Sequence, residues 1–358
     1  MARTILPFGP QHPVLPEPIH LTLELEDEIV VSAVPALGYV HRGLEKLCEV
    51  RDFHQMIQIV ERVCGICSKI HAMCYCQSLE EMMGADVPRR AKYLRVVWSE
   101  LHRIHSHLLW IGLFADAFGF ESLFMQCWRI RERIMDINEA TTGNRVVVSV
   151  NVIGGVRRDL SREHQTWIGE QLKLVEKEVL ALKSTIVSDY TVKSRTQGVG
   201  VLTKDQAHQL GAVGPVLRAS GWAQDARMLG YAAFDELDFE PVVEVDGDCY
   251  ARLAVRFREV LQSVDLVRQA LTRLPEGEIS VPVKGKPNGE IITRVEQPRG
   301  ELMYYIKGDD TKFLDRLRIR TPTFANIPPL LAMLPGVELA DVPVVVLSID
   351  PCISCTER

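Results

Sequence analysis

The stretch Glu61-Arg62-Val63-Cys64-Gly65-Ile66-Cys67 and its counterpart Asp350-Pro351-Cys352-Ile353-Ser354-Cys355 place two Cys-x-x-Cys pairs near opposite ends of a 358-residue chain. Four thiolates offered as two chelating pairs suit zinc, an iron-sulfur cluster or a redox-active first-row metal. Zinc ribbons bring their pairs together across roughly 15–20 residues. Here nearly the whole chain lies between them, so the site exists only after the entire fold has closed. The spacing predicts a metal at the heart of a large domain instead of a local knuckle. On spacing alone, an all-cysteine zinc site or an iron-sulfur cluster stays open.

Outward from the two motifs, no break in composition divides the chain, and residues 1–358 read as one elaborated domain. Hydrophobic residues at 47% and charged residues at 25% give the balance of a soluble globular protein. No apolar run approaches the ~18 residues that a membrane-crossing helix needs; Leu108 to Ala115 is far too short. Pro7, Pro10, Pro13, Pro16 and Pro18 interrupt the start, where a secretion signal would require a continuous apolar segment. Membrane contact is therefore expected only through partner proteins. The formal net charge of −6 gives no electrostatic reason to expect nucleic acid. Nine cysteines, an odd number, fit a reducing compartment. Cys48, Cys74, Cys76, Cys127 and Cys249 are expected as small buried hydrophobes. A helix would point Cys74 and Cys76 about 200° apart, which disfavours a second chelate.

Periodicity predicts a predominantly helical α+β fold, with a core of long helices and peripheral β-sheets. Residues 19–34 alternate as a strand. Phe53, Met56, Ile57, Val60 and Val63 recur at helical spacing and lead into the first cysteine pair, and a second amphipathic stretch runs from Ser68 to Met83. Long helices are predicted over 88–117, 121–141, 161–187 and 248–274, with Phe118-Gly119-Phe120 as the break between the first two and Ser161 as an N-cap. Residues 143–156 read as β structure. Pro287-Asn288-Gly289 reads as a hairpin turn between 279–284 and 291–295, Pro328-Pro329 as an interruption of a short helix over 324–334, and 342–349 as a buried extended run.

Arg62-Val63-Cys64-Gly65-Ile66-Cys67 matches R-x-C-G-x-C, and Asp350-Pro351-Cys352-Ile353-Ser354-Cys355 matches D-P-C-x-x-C. On these motifs the chain resembles the large, catalytic subunit of nickel-iron hydrogenases. Gly9-Pro10-Gln11-His12-Pro13, the run Leu37 to Leu47 and the compact length resemble the energy-converting, membrane-associated branch. That branch is similar to the quinone-site subunit of respiratory complex I, which lacks the metal-binding cysteines. The resemblance implies the nickel-iron hydrogenase large-subunit fold and a nickel-iron centre with carbonyl and cyanide ligands on iron. Cys64 and Cys352 would be terminal on nickel, Cys67 and Cys355 bridging. It implies Glu17 as the proton relay, although without the family a solvated loop glutamate between prolines is the better reading. Arg299 matches the arginine that overhangs the centre. Asp116 aligns with a nearby acidic residue, and a helix-end carboxylate facing water is an equal alternative. Glu45 corresponds to a ligand of a second, structural magnesium or iron ion together with a C-terminal histidine. Arg358 stands where that histidine would be, and a guanidinium is not a metal ligand. It is expected instead to pair with a carboxylate. His102, His105 and His107 are expected as interior hydrogen-bonding groups, with His12 and His41 near the relay.

The functional expectation is a hydrogenase catalytic subunit that interconverts protons and H2 with electrons from a low-potential carrier, ferredoxin foremost. The implied partners are an iron-sulfur small subunit and further hydrophilic and membrane subunits, on the cytoplasmic side of the cell membrane. The rival readings are a complex I-type quinone-site subunit without hydrogenase activity and a zinc-stapled scaffold without turnover.

Overall fold

The computed structural model describes residues 3–117 and 119–358. Strands β1 (Arg3–Phe8), β2 (His20–Glu26) and β3 (Ile29–Ala36) form an antiparallel sheet in that order. The alternation over 19–34 is two strands, not one, because Asp27 turns the chain at φ 55. Leu21, Leu23 and Leu25 are buried on the inner face. β1 was not expected; it lies at the sheet edge, where the missing donor of Pro7 is tolerated.

Two short helices, α1 (Leu44–Leu47) and α2 (Met56–Glu61), lead to α3 (Ser68–Met82), α4 (Arg89–Asp116) and α5 (Glu121–Thr142). Pro88 caps α4 and Phe120 caps α5. Of the expected break at Phe118-Gly119-Phe120, Phe118 lies outside the described residues. The β structure expected over 143–156 is limited to two two-residue strands, β4 (Asn151–Val152) and β5 (Gly155–Val156). Helix α6 (Arg162–Ser188) starts where Ser161 accepts a hydrogen bond from the His164 amide. The small helices α7 (Tyr190–Thr196), α8 (Lys204–Gln209) and α9 (Gly214–Arg218) precede α10 (Cys249–Thr272). α4 packs on α5 and α10, and α6 packs on the same two, which closes a long-helix core.

Between α4 and α10 that core is ionic. Glu100 pairs with Arg103 and Arg227, and Arg218 pairs with Asp225, Glu259 and Glu296, all fully buried or nearly so. Arg103 also donates to the carbonyls of Gln297 (3.0 Å) and Glu296 (2.9 Å). The network thus pins the chain just before Arg299.

The third sheet comprises β6 (Asn288–Gln297), β7 (Gly300–Asp309) and β8 (Leu314–Arg320). Its first hairpin turns at Pro298-Arg299, closed by the Gln297–Gly300 pair, and not at Pro287-Asn288-Gly289 as expected. The turn is set by a close approach. Gly300 has φ 132, and a Cβ there would lie 2.8 Å from the Gly214 Cα. α11 (Pro322–Met333) runs through Pro328-Pro329 without interruption. Each proline costs about 3 kcal/mol in a helix interior, and burial of Ile327, Leu330 and Met333 at about 1.5–3 kcal/mol apiece offsets the loss. The run expected to be extended is the helix α12 (Val342–Ser348). Val342, Val344, Val345, Val346 and Leu347 are all buried, so no period distinguishes helix from strand there. Pro343 suits a first helical turn. The last helix is α13 (Ile353–Thr356).

Candidate metal centre

The first cysteine pair sits on the loop between α2 and α3, with Cys67 as the N-cap of α3. The second follows α12, where Asp350 takes φ 57, a conformation that Asp tolerates better than most residues. This reversal carries Cys352 to the start of α13. The two motifs meet sulfur to sulfur: Cys67 and Cys355 are 3.2 Å apart, Cys64 and Cys352 3.3 Å. The sulfurs of Cys64, Cys67 and Cys355 lie within 4.8 Å of one another. All four cysteines are buried and unoxidised. The S–H groups of the others, first that of Cys352, hydrogen-bond to Cys64 and hold its thiol well below the usual range, whereas burial pushes Cys355 up.

Arg299, at the β6–β7 turn, donates through Nε to the Asp350 carbonyl (2.9 Å) and pairs through Nη2 with its carboxylate (2.8 Å). Its Nη1 stands 3.5 Å from the Ser106 hydroxyl of α4. Burial works against the charge, but Asp350 and the thiols overcome it and hold the guanidinium well above its ordinary range. Glu17 accepts from the Ser354 amide at 2.9 Å and from the Ser354 hydroxyl at 2.6 Å, so it touches the residue between the second pair of cysteines. A cavity of about 300 Å³ is lined by Cys352, Arg299, Asp350 and Glu17, with apolar walls from Leu109, Trp110, Leu113 and Trp128. Glu17 also lines a second, outer cavity of about 390 Å³ together with Gln11 and His12. It stands between the thiol cluster and the outside.

Asp116 does not join them. It is exposed at the last residue of α4, and the cavity takes Leu109, Trp110 and Leu113 from that helix instead. Glu45 has no oxygen to spare for an ion. Oε1 accepts from Arg358 Nε (2.9 Å) and the Ile319 amide (3.0 Å), and Oε2 accepts from Arg318 (2.8 Å). The residues present do not fit a second, structural metal, because the Arg358 guanidinium fills the cation's place.

Two groups were not singled out from the sequence. His71, one helical turn after Cys67, brings Nε2 within 3.5 Å of the Cys355 sulfur and Nδ1 within 2.8 Å of the Tyr304 hydroxyl. Burial pushes the His71 imidazole down to about 4. The i, i+4 spacing from Cys67 was the available signal. Arg42 donates to the carbonyls of Arg62 (2.9 Å), Val63 (2.7 Å) and Ser354 (2.9 Å), tying the two cysteine segments together. Of the clustered histidines, His105 accepts from Arg131 and His107 meets Glu259, as expected of interior hydrogen-bonding groups. His102 has no partner on either ring nitrogen among the described residues. His41 meets the Glu357 carbonyl at 2.9 Å.

The chain matches the family described as respiratory-chain NADH dehydrogenase, 49 Kd subunit, over residues 117–284 and 282–358, and that described as nickel-dependent hydrogenase over residues 42–113. The chain belongs to the family that joins these two kinds of subunit. Its relatives include the carbon monoxide-induced hydrogenase of Rhodospirillum rubrum, 41% identical across 100% of both chains. The membrane-bound hydrogenase subunit alpha of Pyrococcus furiosus is 39% identical over 99% of this chain and 87% of its own. An NADH-quinone oxidoreductase subunit of Protochlamydia amoebophila is 34% identical over 99% of this chain and 95% of its own. The helical α+β architecture is that of the hydrogenase large-subunit and 49 Kd family. No helix among the described residues is long and apolar enough to cross a membrane.

Proposed function

We propose that this chain is the catalytic subunit of an energy-converting nickel-iron hydrogenase, interconverting protons and H2 with electrons from a low-potential carrier, ferredoxin foremost, in an ion-translocating membrane complex. One observation carries this reading: four cysteines from opposite ends of the chain gather in a buried cluster beside a cavity that Cys352, Arg299 and Glu17 line together. The donor set fits a bound metal. Four buried thiols beside Arg299 cannot all ionise without further positive charge. Structural zinc sites are closed, whereas this cluster borders a cavity, which favours a centre that substrate must reach.

Cys64, Cys67, Cys352 and Cys355 would hold the nickel-iron centre, which when bound supplies the making and breaking of the H–H bond and the electron exchange. Glu17 takes or gives the proton at its carboxylate. Ser354 holds that carboxylate through two bonds, so one oxygen can gain a proton without loss of the other contact. The outer cavity at His12 gives the proton its exit. Arg299, fixed by Asp350, presents a permanent positive charge to the cluster. The apolar walls keep bulk water out and admit a small neutral molecule. Electrons would reach the centre through a separate iron-sulfur small subunit.

A quinone-site subunit without hydrogenase activity is the second reading, favoured by the relatives named as quinone oxidoreductases. It has no use for four converging thiols. Elemental analysis of the purified complex decides: nickel and iron together support the hydrogenase, zinc alone a scaffold, no metal a quinone site. Cys352→Ala should lose stable nickel and hydrogen evolution together. Full nickel occupancy in that variant would strike Cys352 from the ligand set.

A further inference from the structure

His71 reaches the cluster twice. Its backbone amide donates to the Cys67 carbonyl at 3.2 Å, and its Nε2 faces the Cys355 sulfur. The ring's other nitrogen meets Tyr304 of β7, fully buried, whose hydroxyl is 2.8 Å away and has no other hydrogen-bond partner among the described residues. His71 is fully buried and meets no carboxylate among the described residues, the setting of a neutral imidazole; such a ring carries one proton, on either nitrogen, and the partner of one nitrogen decides what the other can do. A metal-bound thiolate has no proton to give, so Nε2 can attract it only as a donor. Nδ1 must then be the bare, accepting nitrogen, and the hydrogen between it and Tyr304 must come from the phenol.

We infer that Tyr304 is a positioning residue for the metal centre: its hydroxyl donates to His71 Nδ1, keeps the His71 proton on Nε2 and aims that N–H at the Cys355 sulfur. The inference rests on the proposed thiolate centre and goes beyond it, since it assigns a role to a residue whose hydroxyl bonds to His71 and to none of the four cysteines among the described residues. The relay also has a strength. A hydrogen bond accepted at Nδ1 polarises the ring and makes Nε2–H a better donor, and a hydrogen-bonded thiolate gives less electron density to its metals. Tyr304 therefore tunes the redox properties of the centre through His71.

Tyr304→Phe removes only the oxygen. Tyr75→Phe is the control: Tyr75 is an equally buried phenol, stacked edge-on against Tyr304, with its hydroxyl on the Phe53 carbonyl and not on His71. In the purified hydrogenase complex, Tyr304→Phe should move the infrared bands of the iron's carbonyl and cyanide ligands to lower wavenumber and the midpoint potential to more negative values, with Tyr75→Phe leaving both in place. An independent measurement uses the full chain loaded with zinc, whose thiolate ligands carry no proton, and ¹⁵N-histidine spectra assigned with His71→Gln. The wild type should show His71 protonated on Nε2 and bare at Nδ1. Protonation at Nδ1, or infrared bands unmoved in Tyr304→Phe, would overturn the inference. Absence of such bands from the wild-type complex would instead refute the hydrogenase reading, and the zinc-loaded spectra would still decide the tautomer.

Discussion

Glu17 meets the second cysteine pair through a single residue, Ser354, and it alone among the titratable groups lines both the inner and the outer cavity. That placement separates proton transfer from metal binding. Glu17→Gln keeps the shape of the side chain but cannot carry an acidic proton. Nickel content should survive, while hydrogen evolution and hydrogen–deuterium exchange with solvent should each fall by about 10²–10⁴, the range of a lost general acid–base group. Near-normal exchange in this variant would return Glu17 to the status of a loop residue. Arg299 makes the complementary case. Its contact with Asp350 uses two nitrogens in a fixed fork, which a lysine cannot reproduce. Arg299→Lys preserves the charge and should still lower hydrogen evolution by about 10²-fold, with metal content unchanged by elemental analysis.

The β6–β7 hairpin shows why the arginine needs a particular turn. Arg103 holds the incoming strand by two carbonyls, and Gly300 lets the outgoing strand pass against Gly214. Gly300→Ala would impose an unfavourable φ and a backbone clash together, and should cost about 3 kcal/mol or more of stability. Chemical denaturation should reveal the loss, with Arg299 displaced and activity reduced in whatever protein still folds. A change below about 0.5 kcal/mol would show that the two strands can part without penalty. α12 and the αL turn at Asp350 do the same for the second cysteine pair, since they convert a buried helix end into the approach of Cys352.

Closure of the fold depends on contacts between its two ends. Val40, His41 and Arg42 hold the backbone or side chains of Ser354 and Glu357, and Glu45 holds Arg358. Arg358→Ala removes one cation from a mostly buried carboxylate that keeps Arg318 and the Ile319 amide. It should destabilise the chain by ~2 kcal/mol and loosen the tail that carries Cys352 and Cys355, lowering nickel retention. Since Arg358 takes the cation's place, added magnesium should leave the wild-type unfolding midpoint where it is. A magnesium-dependent midpoint would show that an ion does bind at Glu45.

The helices were legible because each carries a repeating apolar stripe bounded by a local signal: Pro88, Ser161 and Asp248 mark starts through chemistry that acts within a few residues. The thiol set was legible for a similar reason, as paired cysteines with distinctive neighbours are local motifs. What could not be read were the features that depend on surfaces far apart in sequence. The run over 342–349 has no polar face, so only its burial on every side makes it a helix. The true hairpin turn lies at Pro298-Arg299 because Gly214 and Arg103 arrive there from elsewhere. For Glu45 the sequence already offered Arg358 in place of a histidine, and for Asp116 a solvent-facing helix end as an equal alternative; only packing shows that Glu45 is the carboxylate Arg358 meets and that Asp116 lies in solvent. His71 and Tyr304 lie on a helix and a strand that the sequence does not connect. Composition and spacing settle which chemistry the chain can support, because they are properties of neighbours along the backbone. Which groups meet at the sulfurs is settled by tertiary contacts, whose partners burial and close packing select.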